Sequence, residues 1–365
     1  MKIQLTQQNL QKALAVMARV ASSRTELPIL SNVLITAKQD GIEFAATNLE
    51  IAVTHQASAK ITNPGKIAVP ARLFYEFVSQ LPKDDVVELS LEKNRLLISA
   101  GSYSSHIQGV DPEDFPALPQ INTKQQKKIN NQLLINSINK TLLAASHDET
   151  RPILGGVYIH TFNKELCLTA TDGYRLAESK LTESDIEADC VVPSQALQES
   201  LKICQDSSDE ESVLYFAEGQ FALSTNNTQL ISRLVDGKYP EYRKLIPEKS
   251  ETSFKINKNE FQTAAKLAGL FARESGGSIT ISASEDDGKV TIASVASQVG
   301  DNSSAVEAKV KGNGEVVLNV RYLNDALNCF ESGDVDFRFG DSIAPCVVSS
   351  KDQPGYQHIV MPLKS

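Results

Sequence analysis

The chain has 365 residues, 41% of them hydrophobic and 22% charged, with a net charge of −9 at pH 7. That length favours two or three domains over one, and the composition is that of an ordinary soluble globular protein. A negative chain is excluded from adhering to nucleic acid through an all-basic surface, although positive charge confined to one face is still allowed.

No apolar run is long enough to span a bilayer, and the opening "MKIQLTQQNLQKAL" lacks the apolar core of a signal peptide. Cys167, Cys190, Cys204, Cys329 and Cys346 are odd in number and scattered, with no C-x-x-C pair. Reduced thiols, a cytoplasmic location and no zinc site are expected.

In chain order, residues 6–22 ("TQQNLQKALAVMARVAS") place Leu10, Ala13, Leu14, Met17 and Ala21 on one face of a helix. The alternating runs "NVLITA" and "IEFAAT" then read as strands joined at "QDG", and a short helix is expected over 71–81. A second amphipathic helix covers 132–146, with Leu134, Ile138, Leu142 and Ala145 inward. It leads into "VYIHTF" and "LCLTAT" around the turn "NKE", and into a helix over 194–204. The last third repeats the plan: a helix over 260–273, "SITISA" and "KVTIAS" around "EDDG", and a helix over 321–330.

One apolar anchor per helix gives Leu10, Leu73, Leu134, Leu197, Phe261 and Leu323, spaced by 63, 61, 63, 64 and 62 residues. Near-constant spacing is the mark of an internal repeat. The six units also group in pairs. Residues 27–53 match 151–177 at an offset of 124, and 66–77 match 189–200 at an offset of 123. "DPEDFPAL" and "DGKYPEYRKL" place Phe115 with Tyr239 and Pro116 with Pro240. The fold expected is α+β: three domains, 1–124, 125–252 and 253–365, each with two helices packed on antiparallel sheets.

The repeat frames one stretch, "TATDGYRLAESKL" at 169–181. Thr171, Asp172, Gly173, Tyr174 and Arg175 align with Thr47, Asn48, Leu49, Glu50 and Ile51, so both copies carry an inter-strand turn of the kind Asn and Asp favour. Tyr174 and Arg175 occur in the middle copy only, which points to a task specific to that domain. Charge is partitioned as well: the expected helices, with Lys258 just before the fifth, hold nine basic residues against four acidic ones, in a chain of net charge −9.

The segments "LPIL", "ATDGYRL", "VVP", "KLIP" with "DGKYPEYR", and the terminal "HIVMPLKS" resemble the bacterial sliding clamps, the beta subunits of DNA polymerase III, over the whole chain. The resemblance implies a head-to-tail homodimer closed into a ring, with helices around duplex DNA and sheets outside. It implies a processivity role without catalysis, cofactor, metal or membrane partner. Partners would be the polymerase III alpha subunit, the clamp loader, and other polymerases and repair proteins that dock short peptides between the middle and last domains. Matched by motif, that cleft takes in Leu154, Thr171, Gly173, Tyr174, Arg175, Leu176, Pro240, Lys244, Leu245, Ile343, Val360, Met361, Pro362 and Leu363. Lys12, Arg24, Arg72, Lys140, Lys202, Lys266 and Arg321 would face DNA, attracting phosphate without reading bases. Ile107, Leu270 and Phe271 would form the apolar centre of the ring interface. The chain departs from the family at Asp148, Lys244 and Ser105, where a polar amide, an arginine and an aromatic are usual.

Two other readings stay open on the residues alone. A hydrolase using Asp172 and Arg175 is one, although no H-x-H, H-E-x-x-H, phosphate-loop or G-x-S-x-G pattern occurs. A peptide-binding repeat scaffold with no DNA role is the other.

Overall fold

The computed structural model describes residues 1–21, 27–247, 249–273, 275–296, 300–331 and 333–363. Six α-helices lie among them: α1 (Gln7–Val20), α2 (Ala71–Gln80), α3 (Asn131–Leu142), α4 (Ser194–Asp206), α5 (Lys258–Phe271) and α6 (Val320–Asn328). The polar residues at their entries are caps. The Thr6 hydroxyl accepts from Asn9 N, the Asn257 side chain from Asn259 N and Glu260 N, and the Asn319 side chain from Arg321 N. No helix among the described residues is long and apolar enough to cross a membrane.

Five of the six expected anchors, Leu10, Leu134, Leu197, Phe261 and Leu323, are buried. Leu73 is not: it is 55% exposed, and Phe74 fills the core beneath α2. The reason is helical phase. The helix starts at Ala71, so Ala71, Phe74 and Val78 share the inward face and Leu73 points away. The charge partition is also weaker than expected, because Arg273 lies beyond α5 and Asp206 closes α4. The helices as folded carry eight basic and five acidic residues.

The chain folds into two compact units, Met1–Ile135 with Gln195–Leu234, and Asn136–Ser194 with Val235–Ser365. They do not follow the threefold repeat, since the middle third contributes strands to both. The first unit holds a five-stranded sheet, in spatial order Lys60–Asn63, Lys2–Thr6, Val86–Glu92, Arg95–Ala100 and Tyr103–Gln108. It also holds an eight-stranded sheet, in which Ile51–Ala57 of the first third pairs with Thr228–Arg233 of the middle third. The second unit has a twelve-stranded sheet in which the same device recurs: Arg175–Glu183 pairs with Tyr356–Val360. Each junction is antiparallel and buried, so adjacent repeats are joined by continuous backbone hydrogen bonding rather than by side chains alone.

The expected "NKE" turn is a two-residue hairpin with positive φ at Asn163 (49°) and Lys164 (62°), the geometry whose twist matches the flanking strands. All five cysteines are free thiols, and burial pushes each up to about 11 or 12, so they are inert neutral groups.

Two buried histidines make the second unit sensitive to acid. Burial, followed by the charge of Arg243, holds His160 down at about 4, and burial followed by Arg175 holds His358 at about 3. Both folded values lie below the unfolded value of 6.5. Their contribution is therefore complete above that pH and is lost as pH falls toward 4, where the unfolded chain takes up protons that the folded chain refuses. Stability should decline by up to roughly 1.4 kcal/mol per pH unit for each histidine across that window. Thermal melts between pH 7.5 and 4.5 measure the slope, which His358→Gln should flatten.

Candidate functional site

The turn singled out in the sequence is built by its own side chains. The Thr171 hydroxyl donates to Arg175 O (2.6 Å) and accepts from Gly173 N (3.1 Å), while Asp172 Oδ1 accepts from Tyr174 N (2.9 Å) and Arg175 N (3.0 Å). The first copy makes the same four bonds. Thr47 Oγ1 donates to Ile51 O and accepts from Leu49 N, and Asn48 Oδ1 accepts from Glu50 N and Ile51 N. Even the outer bond is repeated: Tyr174 O accepts from Met361 N (2.8 Å), as Glu50 O accepts from Arg233 N (2.9 Å). Both copies need positive φ at the third position, +93° at Gly173 and 75° at Leu49. Glycine adopts it freely, whereas leucine does so under strain.

The side chains set the middle copy apart. Arg175 is buried, its Nε donating to Asp172 Oδ2 at 3.1 Å and its NH1 to Asp325 Oδ2 on α6. The guanidinium carbon lies 4.8 Å from the centroid of the Tyr322 ring, against which Tyr174 also stacks. Arg175 thus ties the turn to α6 by a paired, shielded cation of the kind that costs most when one partner is removed. Both Asp172 oxygens are engaged, Oδ1 by two backbone amides and Oδ2 by Arg175, so the carboxylate holds the turn together.

Around this turn the second unit packs an apolar cluster beneath an exposed margin. Leu154, Leu176, Tyr239, Tyr242, Val347 and Ile359 form one buried cluster, with Ile153, Tyr158, Val235 and Ile246 packed on it. Val360 is buried opposite Arg175 in the sheet. The rim is exposed and partly apolar: Tyr174 is 59% exposed, and Gly173, Pro240, Lys244, Leu245 and Ile343 are also open. Thr171, Met361, Pro362 and Leu363 are half-buried. Hydrogen bonds from Met361 N to Tyr174 O and from Leu363 N to Val317 O fix the terminal segment along the rim. Ile343 stands in the loop leading into strand Cys346–Ser349, capped by Asp341 Oδ1. Lys244 pairs with Glu241 at the surface.

Sequence reasoning missed Tyr322 and Asp325, which hold Arg175 from about 150 residues away, and Arg151, whose guanidinium lies against Gly173. Nothing local marks the first two. Arg151 could have been found by its i,i+3 pairing with Asp148, which itself accepts from Thr150 N and Oγ1 and holds the 147–151 loop in a defined turn. Those bonds, Thr150's first, keep the Asp148 carboxyl below the ordinary carboxylate range.

The cations expected to face DNA divide into three groups. Lys12, Lys266 and Arg321 are exposed, with no ion pair among the described residues. Arg72 pairs with Glu76, and Lys202 with the buried Glu199, which also binds Arg19. Lys140 is turned inward: its ammonium donates to Gln353 Oε1 (2.7 Å) above the Tyr356 ring, and burial pulls it below the usual lysine value. Arg24 lies outside the described residues. Of the interface residues, Leu270 is 57% exposed and Phe271 half-buried, but Ile107 is only 3% exposed and packs into the core of its own unit. Alternation along the edge strand Tyr103–Gln108 explains this, because Ile107 points inward between the exposed His106 and Gln108.

Models of the DNA polymerase III beta subunit match the chain in three consecutive parts: the N-terminal domain at residues 1–119, the central domain at 128–241 and the C-terminal domain at 243–364. A beta sliding clamp from Staphylococcus epidermidis is 32% identical over 359 residues, covering 95% of each chain. One from Staphylococcus aureus is 31% identical over the same length. The crystal structure of a sliding clamp from Bacillus subtilis superposes with a TM-score of 0.94 at 29% identity, over 100% of this chain and 99% of that one. A clamp from Bartonella birtlesii, solved bound to griselimycin, gives 0.94 at 26% identity over the whole of both chains.

The equivalence of the two turns is testable. Gly173→Leu copies the first repeat into the second, so the chain should still fold, at a cost of about 1–2 kcal/mol for a left-handed leucine. Denaturant melts measure it, and loss of folding altogether would contradict the equivalence.

Proposed function

The chain belongs to the bacterial DNA polymerase III beta subunit family, the beta sliding clamps, and on that footing we propose that it works as a non-catalytic, cytoplasmic tether on duplex DNA. Two copies close head to tail, each divided into domains at 1–124, 125–252 and 253–365, so that twelve similar units surround the duplex. The observation that carries this reading is the repeat. Six helix-and-strand units of one design are what a ring needs to present similar helices all round its bore. Lys12, Lys266 and Arg321 are the strongest candidates to face phosphate, since their charges are exposed and unpaired among the described residues. Arg72 and Lys202 contribute less, because each shares its charge with a glutamate. Lys140, engaged with Gln353, serves packing first. At the ring interface, exposed Leu270 and the edge strand carrying Tyr103 replace Ile107 as the surfaces to meet.

The cleft around Tyr174 and Arg175 receives partner peptides from the polymerase, the clamp loader and repair proteins. An apolar floor with a few fixed polar groups suits short segments of varied sequence, and Met361 at the rim can adapt to several of them. By the same reasoning the cleft takes griselimycin, the ligand present in the Bartonella relative. The occupied Asp172 gives no support to the hydrolase reading.

A topological tether differs from an adhesive one in how it lets go. Loaded on closed circular DNA by a clamp loader, the protein should stay bound through gel filtration and leave when the circle is cut once, at unchanged salt. Retention on the cut DNA would refute encirclement. Reversing Lys12, Lys266 and Arg321 to glutamate together should reduce loading by at least tenfold while leaving griselimycin binding intact.

A further inference from the structure

Beneath the cleft lies a buried polar cluster that neither DNA nor peptide binding accounts for. Glu178 is 2% exposed in the middle of the twelve-stranded sheet, an expensive place for a carboxylate unless every lone pair is used. It sits in a lateral row with Thr169 on one neighbouring strand and Gln357 on the other. Its Oε1 accepts from Gln357 Nε2 at 2.9 Å, inside the sheet. Its Oε2 reaches out of the sheet, accepting from the Tyr242 hydroxyl and lying 2.8 Å from Arg243 NH2. The Tyr242 oxygen also meets Thr169 Oγ1 at 3.1 Å and His160 Nε2 at 3.0 Å. The Arg243 guanidinium lies 3.6 Å from the centroid of the Phe162 ring.

Tyr242 and Arg243 open the 3-10 turn Tyr242–Leu245, whose next two residues are Lys244 and Leu245 of the rim. After Val235, whose N donates to Val191 O in strand Asp189–Pro193, the described residues up to Glu251 belong to no strand, and the turn's own backbone bonds are local. Side chains must therefore hold this wall in place. The aromatic stack of Tyr239 on Tyr158 is one hold, and an apolar contact of that kind lets a segment slide. The Tyr242 hydrogen bond to a fixed carboxylate is directional and, with the Arg243 ion pair beside it, does not.

We propose that Glu178 is a positioning residue for the cleft: by binding Tyr242 and Arg243 together it fixes the height and rotation of the turn, and so the places of Lys244 and Leu245 against a bound ligand. This deepens the cleft reading above and rests on it. The test uses the full-length protein and two small changes, Glu178→Gln and Tyr242→Phe. Griselimycin affinity is measured by calorimetry, and backbone hydrogen exchange is followed by mass spectrometry. Each change should weaken binding at least tenfold and speed exchange at residues 242–246, with strands Glu165–Thr171 and Tyr356–Val360 as protected as before. Wild-type affinity in either variant would overturn the proposal. So would faster exchange spread evenly over the second unit, which a merely structural role would produce. Failure of the unaltered protein to bind griselimycin would instead count against the cleft reading, and the exchange data would still decide whether Glu178 anchors the turn.

Discussion

The antiparallel pairing of Arg175–Glu183 with Tyr356–Val360 is the constraint on which the site depends. It brings residues about 180 positions apart in the chain into one sheet, so that Arg175 faces Val360 and Glu178 faces Gln357. Everything else at the cleft follows from that register. The chain leaves the strand at Val360 and must run past the turn, where Met361 N finds Tyr174 O. The carboxylate of Glu178 finds its in-sheet partner and has one oxygen left for the loop outside. A slip of one residue would turn Glu178 to the opposite face and break both.

The two Thr-Asx turns show how a repeat can be specialised without redesigning its backbone. Thr47 and Asn48 hold the first turn by the same four bonds that Thr171 and Asp172 make in the second. Asn and Asp are interchangeable in that task because each offers one oxygen to two amides. They differ in the atom left over. Only the aspartate brings a second charged oxygen, and in the middle copy that oxygen receives Arg175. Where the first copy has Ile51, buried and apolar, no such tie exists. Four of the five turn residues differ between the copies, yet the backbone bonds are the same and the new side chains tie the turn to α6.

Much of this was legible in the sequence, and the residues show why the rest was not. Helix spacing revealed the repeat because five of six anchors sit in true core positions; the sixth failed at Leu73 because one residue of helical phase separates it from Phe74. The turn was legible because its bonds are local. The partners of Arg175 were not, because Asp325 and Tyr322 reach it through tertiary folding from a helix that looks ordinary. Glu178 was hidden for a related reason. In sequence it is one polar residue in an alternating strand, and only the row of Thr169, Glu178 and Gln357 turns it into an anchor. Ile107 is the opposite case, an apolar residue expected at an interface and buried by the fold within its own unit.

The electrostatics of the helices agree with the proposed task. A protein that held DNA by affinity would leave its cations free, and each contact would add to a salt-sensitive grip. Here the helices hold eight basic and five acidic residues, and several cations are already satisfied: Arg19 and Lys202 by Glu199, Arg72 by Glu76, and Lys140 by Gln353. An exposed pair such as Arg72–Glu76 adds little stability. The effect of such pairs on a polyanion is larger, because each glutamate beside a lysine or arginine lowers the local attraction for phosphate. What remains is a few exposed charges, which on the proposed reading attract phosphate only weakly. Weak attraction and topological closure therefore belong together: the more fully a ring encloses DNA, the less its surface has to bind it.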